Sequence, residues 1–391
     1  MPEREAPPRG FPLVEFEHRT RSAQGLMAQA GFDAMLLTTE PEVRWFSGFH
    51  TQFWHSPTRP WFLIVPAQGK PIAVIPAIGE AGMAQTWIED IRVWSSPDRD
   101  ADGLSLLVDC LRSQSLQHRV VAVPMGHETH VRMPLADFQT VCAQLPDVRI
   151  ADARPLMRGL REIKSELEID KIRHVCALVG DAFEALPSLV YSGMTEREIC
   201  RALKIDILRR GADDVPYLIS ASGQGGYDNI IMGPVDRVVG AGDVMIIDTG
   251  ATFDGYFCDF DRNFAFGAQT EQLRRAHEVC WDATEAGLHA ARPGASAHDL
   301  WREMWRVLEA GGALGSDVGR LGHGLGMQLT EGHSNMQGDE TLLRPGLVLT
   351  LEPGMSFAPG KMLVHEENIV VRAGGAEILT PRATREMARI D

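Results

Sequence analysis

Val244-Met245-Ile246-Ile247-Asp248-Thr249-Gly250-Ala251, followed by Asp254-Gly255-Tyr256 and then by Asp259, is the stretch on which the fold turns. The unbroken apolar run reads as a buried strand. Asp248 closes it, where an ionised carboxylate is costly unless it is paired, hydrogen-bonded or bound to metal. A turn at Asp254-Gly255 folds the next strand back beside the first and sets Asp248 and Asp259 on one face. Two further acids flank apolar strands: Glu352 ends Leu347–Leu351 ahead of Pro353-Gly354, and Glu367 opens Asn368-Ile369-Val370-Val371. His323 stands between Gly322 and Gly324, small neighbours that allow close approach to the imidazole.

Each of these residues alone is weak, since an acid at a strand end is more often a turn or cap residue. Together, Asp248, Asp259, His323, Glu352 and Glu367 form a hard, oxygen-rich donor set, and bridging divalent ions would offset the repulsion among the acids. Oxygen and imidazole ligands suit Mn2+, Co2+, Fe2+ or Zn2+. A pair of ions about 3.5 Å apart holds a bridging water and lowers its pKa. The chemistry expected is hydrolysis or another reaction assisted by a Lewis acid.

The 391 residues suggest two or three domains. Hydrophobic residues at 44% and charged residues at 23% exclude a disordered or collagen-like chain. A formal charge of −15 argues against nucleic acid as a partner. No apolar run is long enough for a spanning helix, so no membrane role is expected. The polar start, Met1 to Pro12, lacks the apolar stretch of a signal peptide, which makes the cytoplasm the expected compartment. Six widely spaced cysteines without a CxxC pair read as reduced core thiols.

From about residue 13 to 155, short apolar runs (32–37, 61–66, 71–75 and 120–124) alternate with helical stretches at 17–30 and 104–116, the pattern of an α/β unit with a mixed sheet. Near residue 160 the texture changes. Ser165 with Glu168, and Thr195 with Glu198, read as capping boxes opening two helices, the second ending at Gly211. Further helices are expected from Glu271 to Ala291 and from Ser296 to Gly311, with strands at 244–248, 257–266, 346–351 and 367–372. This second part reads as an α+β domain.

At these residues the sequence resembles the pita-bread metalloenzymes, the family of Xaa-Pro aminopeptidase, prolidase and creatinase. The likeness lies in Arg158–Ser165, in Ile247–Ala251 with Asp254-Gly255-Tyr256, Asp259 and Arg262, in Gly322–Gly326, in Leu351–Gly354 and in His365–Asn368. It implies a creatinase-type N-terminal domain over 1–157 and a pita-bread catalytic domain over 158–391, usually assembled as a homodimer. It also implies two divalent ions, with Asp248 chelating one, Asp259 and Glu367 bridging, and His323 and Glu352 completing the second. Glu352 would also accept a proton from the water on the metals. The adjacent Glu366 competes with Glu367 for its place; Glu367 is preferred because it directly precedes Asn368 and an apolar strand.

Departures from the family pattern bear on the substrate. The histidine expected seven residues beyond His323 is Thr330, followed by Glu331, and the histidine expected ahead of the paired aspartates is Met232. Weak turnover of Xaa-Pro dipeptides is therefore expected, with Glu331 and His333 as candidates to fill the catalytic gap, although a histidine at 333 reads more readily as a surface-loop residue. Asp261 stands where the family has threonine or serine and is expected to pair with Arg262. The aromatic loop 47–61 offers Trp54 and Phe53 which, with Tyr256, suit a quaternary ammonium or methylated amine; Arg59 suits a substrate carboxylate, and His55 and Thr330 complete the candidate substrate contacts. The function expected is a metal-dependent hydrolase of an amide or C–N bond in a dipeptide or small amino-acid derivative. The alternatives are a metal-assisted lyase on a betaine or sulfonium compound, for which the expected extra aspartate falls at Gly250, and a non-catalytic binding module.

Overall fold

A computed structural model describes residues 5–98, 102–114, 117–315 and 319–390. The chain divides into two compact units, one spanning Pro8–Arg161 and the other built from Glu162–Asp391. The division falls at 161/162 rather than at 157/158, because the helix Arg154–Arg161 packs against the first helix of the N-terminal unit, Leu13–Ala30.

The N-terminal unit is a six-stranded mixed sheet of β1 (Ala34–Leu37), β2 (Phe62–Pro66), β3 (Ile72–Pro76), β4 (Asp90–Trp94), β5 (Val120–Val123) and β6 (Arg149–Asp152), in the order β4-β3-β2-β1-β5-β6. The central strands β1, β2, β3 and β5 are buried along their whole length, as expected of apolar runs covered on both faces. Strands β4 and β6 lie at the edges and carry the exposed polar residues. The helix expected over 104–116 spans Leu104–Ser113; its last two expected residues, 115 and 116, lie outside the described residues.

In the second unit, the sheet that carries the paired aspartates comprises β7 (Asp214–Gln224), β8 (Asp243–Phe253), β9 (Tyr256–Phe257), β10 (Phe260–Phe266) and β18 (Ala388–Ile390). A second five-stranded sheet holds β11 (His323–Gly324), β12 (Glu331–Ser334), β13 (Val348–Leu351), β16 (Glu367–Arg372) and β17 (Gly375–Ile378), while β14 (Gly354–Ala358) and β15 (Lys361–Val364) pair separately. Both capping boxes form, opening the helices Glu166–Ala185 and Glu196–Arg210; the latter stops at Gly211, which adopts a left-handed conformation. Helices Glu271–Ala290 and Ala297–Ala310 supply Leu273, Ala276, Cys280, Leu300, Met304 and Leu308 to one core with Val244, Ile246, Leu349, Leu351, Ile369 and Val371. All six cysteines are free thiols, five of them buried. Among the described residues no helix is long and apolar enough to cross a membrane.

Candidate metal centre

The turn between β8 and β9 is built as the sequence demands. Asp254 and Gly255 both take positive φ, 49° and 82°, the twist a two-residue hairpin loop requires, and Phe253 pairs with Tyr256. The chain then returns along β8 with Phe260 opposite Thr249 and Asp261 opposite Asp248. Asp259, just ahead of β10, is fixed through its backbone: its N–H donates to Asn368 Oδ1 at 2.9 Å, and the Asn368 amide donates back to its carbonyl.

His323 is set by Gly322. At φ 134° a Cβ on residue 322 would lie 2.2 Å from the Thr350 carbonyl oxygen and 2.3 Å from Asn335 Nδ2, so only glycine fits. With the backbone this close, His323 N–H donates to Thr350 Oγ1 at 3.0 Å. The ring Nδ1 lies 3.0 Å from the Gly324 carbonyl oxygen, which can only accept, so this contact places the proton on Nδ1. Nε2 faces Asp259 Oδ2 at 3.4 Å and Glu352 Oε2 at 4.0 Å. These separations are long for hydrogen bonds and leave room for an ion.

Asp259, His323 and Glu366 each present a ligand atom within 4.8 Å of the others. The expectation of Glu367 is thereby corrected to Glu366. Leu351 pairs with Glu367 across β13 and β16, so the next residues toward the acids are Glu352 and Glu366, and side-chain alternation turns Glu367 to the opposite face. There its carboxylate meets Arg262 Nη2 at 3.1 Å, Arg382 Nη1 at 3.1 Å, the Ala383 N–H at 3.0 Å and the Thr380 hydroxyl. Among the described residues no guanidinium pairs with Asp248, Asp259 or Glu366 as two do with Glu367. Asp248 Oδ1, Asp259 Oδ1 and Glu366 Oε1 are buried oxygens without a hydrogen-bond partner.

Burial pushes the Asp259 carboxyl up to about 8. Burial first, and then the charge of Asp259, pushes Asp248 well above the carboxylate range, and Glu366 rises for the same reasons with Asp248 adding to the repulsion. Glu352, whose side chain is partly exposed, also rises through desolvation, partly offset by His323. Acids so placed need cations to ionise together. An orphaned oxygen on each of three acids, two of which cluster with the His323 imidazole, fits divalent ions in chemistry and in number of donors.

Tyr217, absent from the sequence expectations, donates its hydroxyl to Asp248 Oδ2 at 3.2 Å. Burial and then the charges of Asp248, Asp259 and Glu366 hold it protonated, so it remains a donor. Arg320, also unforeseen, lies 3.7 Å from Glu352 Oε1 through Nε and donates to Thr330 Oγ1 (3.1 Å) and Ser334 Oγ (3.2 Å), with 31% of its side chain exposed. Thr330 is thus an acceptor for Arg320 beside Glu352.

The remaining candidates separate. Glu331 is committed elsewhere: Lys164 Nζ lies 3.2 Å from Oε2, and Gln328 N–H donates to Oε1 at 3.0 Å. His333 is buried on β12 and not in a surface loop, with its Cε1 3.7 Å from where a Gly324 Cβ would lie. Tyr256 is a core residue whose hydroxyl donates to Glu168 Oε1 at 2.8 Å, which corrects its assignment to a substrate wall. Trp54 is corrected likewise: it is 8% exposed, packs 6.0 Å from Trp61 and carries the Arg132 guanidinium 5.2 Å over its ring, so its face already has a cation. Arg59 donates through Nε to Ser96 Oγ at 2.8 Å, and His55 is exposed at the end of the turn Gln52–His55. The pairing expected of Asp261 with Arg262 does not form between side chains; Arg262 Nη1 donates to the Asp261 carbonyl at 2.6 Å. Met232 is exposed. At Gly250 a Cβ would fall 2.4 Å from Leu329 Cδ1 and 3.2 Å from the Cys258 carbonyl oxygen, so the aspartate of the lyase alternative would require the Leu329 side chain to move.

The profile of metallopeptidase family M24 matches residues 170–373, and that of the Creatinase/Prolidase N-terminal domain matches residues 19–163. The chain is 28% identical over 367 residues to the probable dipeptidase PepE of Mycobacterium tuberculosis, covering 93% of each chain. It is 25% identical over 340 residues to an Xaa-Pro dipeptidase of Lactobacillus delbrueckii subsp. lactis, covering 86% of this chain and 89% of the relative. Among solved structures, dipeptidase PepE from Mycobacterium ulcerans superposes with a TM-score of 0.83 at 25% identity, covering 97% of this chain and 99% of that one. A prolidase from Thermococcus sibiricus, at 23% identity and a TM-score of 0.85 over 96% of this chain and 99% of that one, shares the fold.

Proposed function

Because the chain belongs to metallopeptidase family M24, we propose that it is a hydrolase dependent on two divalent ions that cleaves the amide bond of a dipeptide or small amino-acid derivative. The observation that carries this reading is the set of buried acid oxygens without partners around His323 Nε2. Asp248 and Asp259 would hold one ion, and Asp259, His323, Glu352 and Glu366 the other; Mn2+, Co2+, Fe2+ and Zn2+ all suit these donors. When bound, the ions supply Lewis acidity to the scissile carbonyl and acidify the attacking water.

The protein's own groups do the rest. Glu352 is partly exposed, and desolvation raises its carboxyl and makes the carboxylate a stronger base, so it would take a proton from the attacking water and return it to the leaving amine. Tyr217 holds Asp248 in one orientation through its hydroxyl. Arg320, seated on Thr330 and Ser334, presents a partly exposed guanidinium beside Glu352 that can hold the carboxylate of a substrate. We assign no catalytic role to His333, since Ser334 is the residue opposite His323 and alternation turns His333 to the side of Gly324. With Thr330 and Met232 at the family's histidine positions, turnover of Xaa-Pro dipeptides is expected to be slow. The reading includes a homodimer and a cytoplasmic setting, as the family resemblance implies.

The test is a screen of dipeptides and methylated amino-acid derivatives with ion-loaded protein in 18O-labelled water. One labelled oxygen in the product carboxylate, dependent on the ion, is the expected result. Product formed without solvent oxygen would move the reading to elimination, and failure to retain divalent ions would move it to a binding module.

A further inference from the structure

Asp261 is a buried acid that none of the roles above uses. It is 1% exposed. Strand register sets it directly opposite Asp248 on β8, and such cross-strand neighbours have Cβ atoms about 4.5–5.5 Å apart. Its flanking residues turn the other way. Arg262 stacks 4.7 Å over the Phe260 ring and directs its N–H groups to Glu367, to the Glu366 and Pro381 carbonyls and to the backbone of Asp261. Alternation along β10 therefore gives Asp261 the face of Asp248, away from the Arg262 charge.

Hydrogen bonding leaves this carboxylate open. Oδ2 has no partner. Oδ1 receives only a 3.5 Å approach from Asn263 Nδ2, an amide already donating to the Val364 carbonyl at 2.6 Å. No ion pair reaches Asp261 among the described residues. Two acids directly opposite on adjacent strands are mutually destabilising unless a cation lies between them.

Resting on the metal-dependent reading above, we propose that Asp261 is an additional oxygen donor to the ion held by Asp248, so that the centre is built from five carboxylates and one imidazole. The ion on the Asp248 side then has a harder, more negative donor set than two aspartates provide, one that favours Mn2+ over softer ions such as Zn2+.

The experiment uses the full chain, stripped of metal and titrated with Mn2+, as wild type and as Asp261→Asn and Asp261→Thr. The expected result is two ions per wild-type chain and, in both variants, Mn2+ affinity at one site weakened by at least about tenfold. The stripped variants should be as stable as stripped wild type or more so, since an unpaired buried acid has been removed. A crystal of the wild type soaked in Mn2+ supplies a readout independent of variant folding, with Asp261 Oδ2 expected about 2.0–2.3 Å from an ion. Mn2+ affinities in both variants within twofold of wild type, or an ion on Asp248 with Asp261 Oδ2 beyond hydrogen-bond distance of it, overturns the proposal and leaves the hydrolase reading standing. A wild-type chain that takes up no Mn2+ overturns both.

Discussion

Glu366 and Glu367 are chain neighbours of the same type, 2% and 1% exposed, yet the protein treats their carboxylates in opposite ways. Behind the strand, Glu367 is met by two guanidiniums, a hydroxyl and a backbone N–H. In front of it, Glu366 shares a face with Asp259 and His323 and keeps an oxygen with no partner. Burial is therefore a poor guide to a metal ligand, because both acids are buried. What separates them is neutralisation: the rear acid is balanced within the chain, and the front acids wait for charge from outside.

The sharpest way to break this contrast is to remove one charge at a time. Glu366→Gln should lower metal affinity and kcat/KM by more than about a hundredfold, the upper range for groups that only support a ligand. It should leave the stripped protein no less stable. Metal content and steady-state kinetics measure the first effect, and chemical denaturation the second. If Glu366→Gln retains both ions while Glu367→Gln loses one, the two faces have been assigned the wrong way round.

Glu367→Ala should act on stability. It leaves Arg262 and Arg382, both largely buried, without their shared carboxylate, although Arg382 keeps Glu285 at 2.8 Å. Breaking a buried pair from one side costs about 3–5 kcal/mol. The denaturant midpoint should fall accordingly, while refolded, ion-loaded protein still binds two ions.

The rear face also predicts a pH response. Burial, and then the charges of Arg262 and Arg382, holds His277 down to about 4. The unfolded chain takes up this proton near 6.5, so stability is complete above that pH and is lost as the pH falls toward 4. The shift corresponds to about 3 kcal/mol at 25 °C. His277→Asn should remove that increment, seen as a flatter loss of stability between pH 6.5 and 4 than in wild type. Parallel curves would show that His277 is not a buried neutral imidazole.

The same contrast explains what was legible in the sequence. Capping boxes at Ser165 and Thr195, the left-handed stop at Gly211 and the Asp254-Gly255 turn are local devices, and all form as read. Asp248, Asp259 and Glu352 stand out because each ends or borders an apolar strand, and His323 because it lies between two glycines. Glu367 was misread because the choice between adjacent glutamates depends on cross-strand register with Leu351, which local pattern does not encode. Counting from that pair, Glu366 faces Glu352. Tyr217 was missed because β7 begins at Asp214-Val215-Pro216, and proline argues against a strand until a bulge is known to accommodate it. Trp54 was overvalued because an aromatic-rich loop does not reveal that Arg132, distant in sequence, already covers the ring.

Trp54 extends the rule to the N-terminal unit and gives the smallest effect. Its ring is a committed group in the sense that Glu367 is: Arg132 lies over its face, and Arg132 Nε also donates to the Trp54 carbonyl at 3.2 Å. Trp54→Phe preserves an aromatic face and the backbone bond, so only the stronger cation–π attraction and part of the packing are lost, about 0.5–1 kcal/mol. The melting transition of the N-terminal unit should shift slightly downward while KM and kcat stay at wild-type values. A rise in KM with an unchanged melting transition would place the ring on the substrate after all, and partnering would then fail as the criterion that separates groups holding the fold from groups left for chemistry.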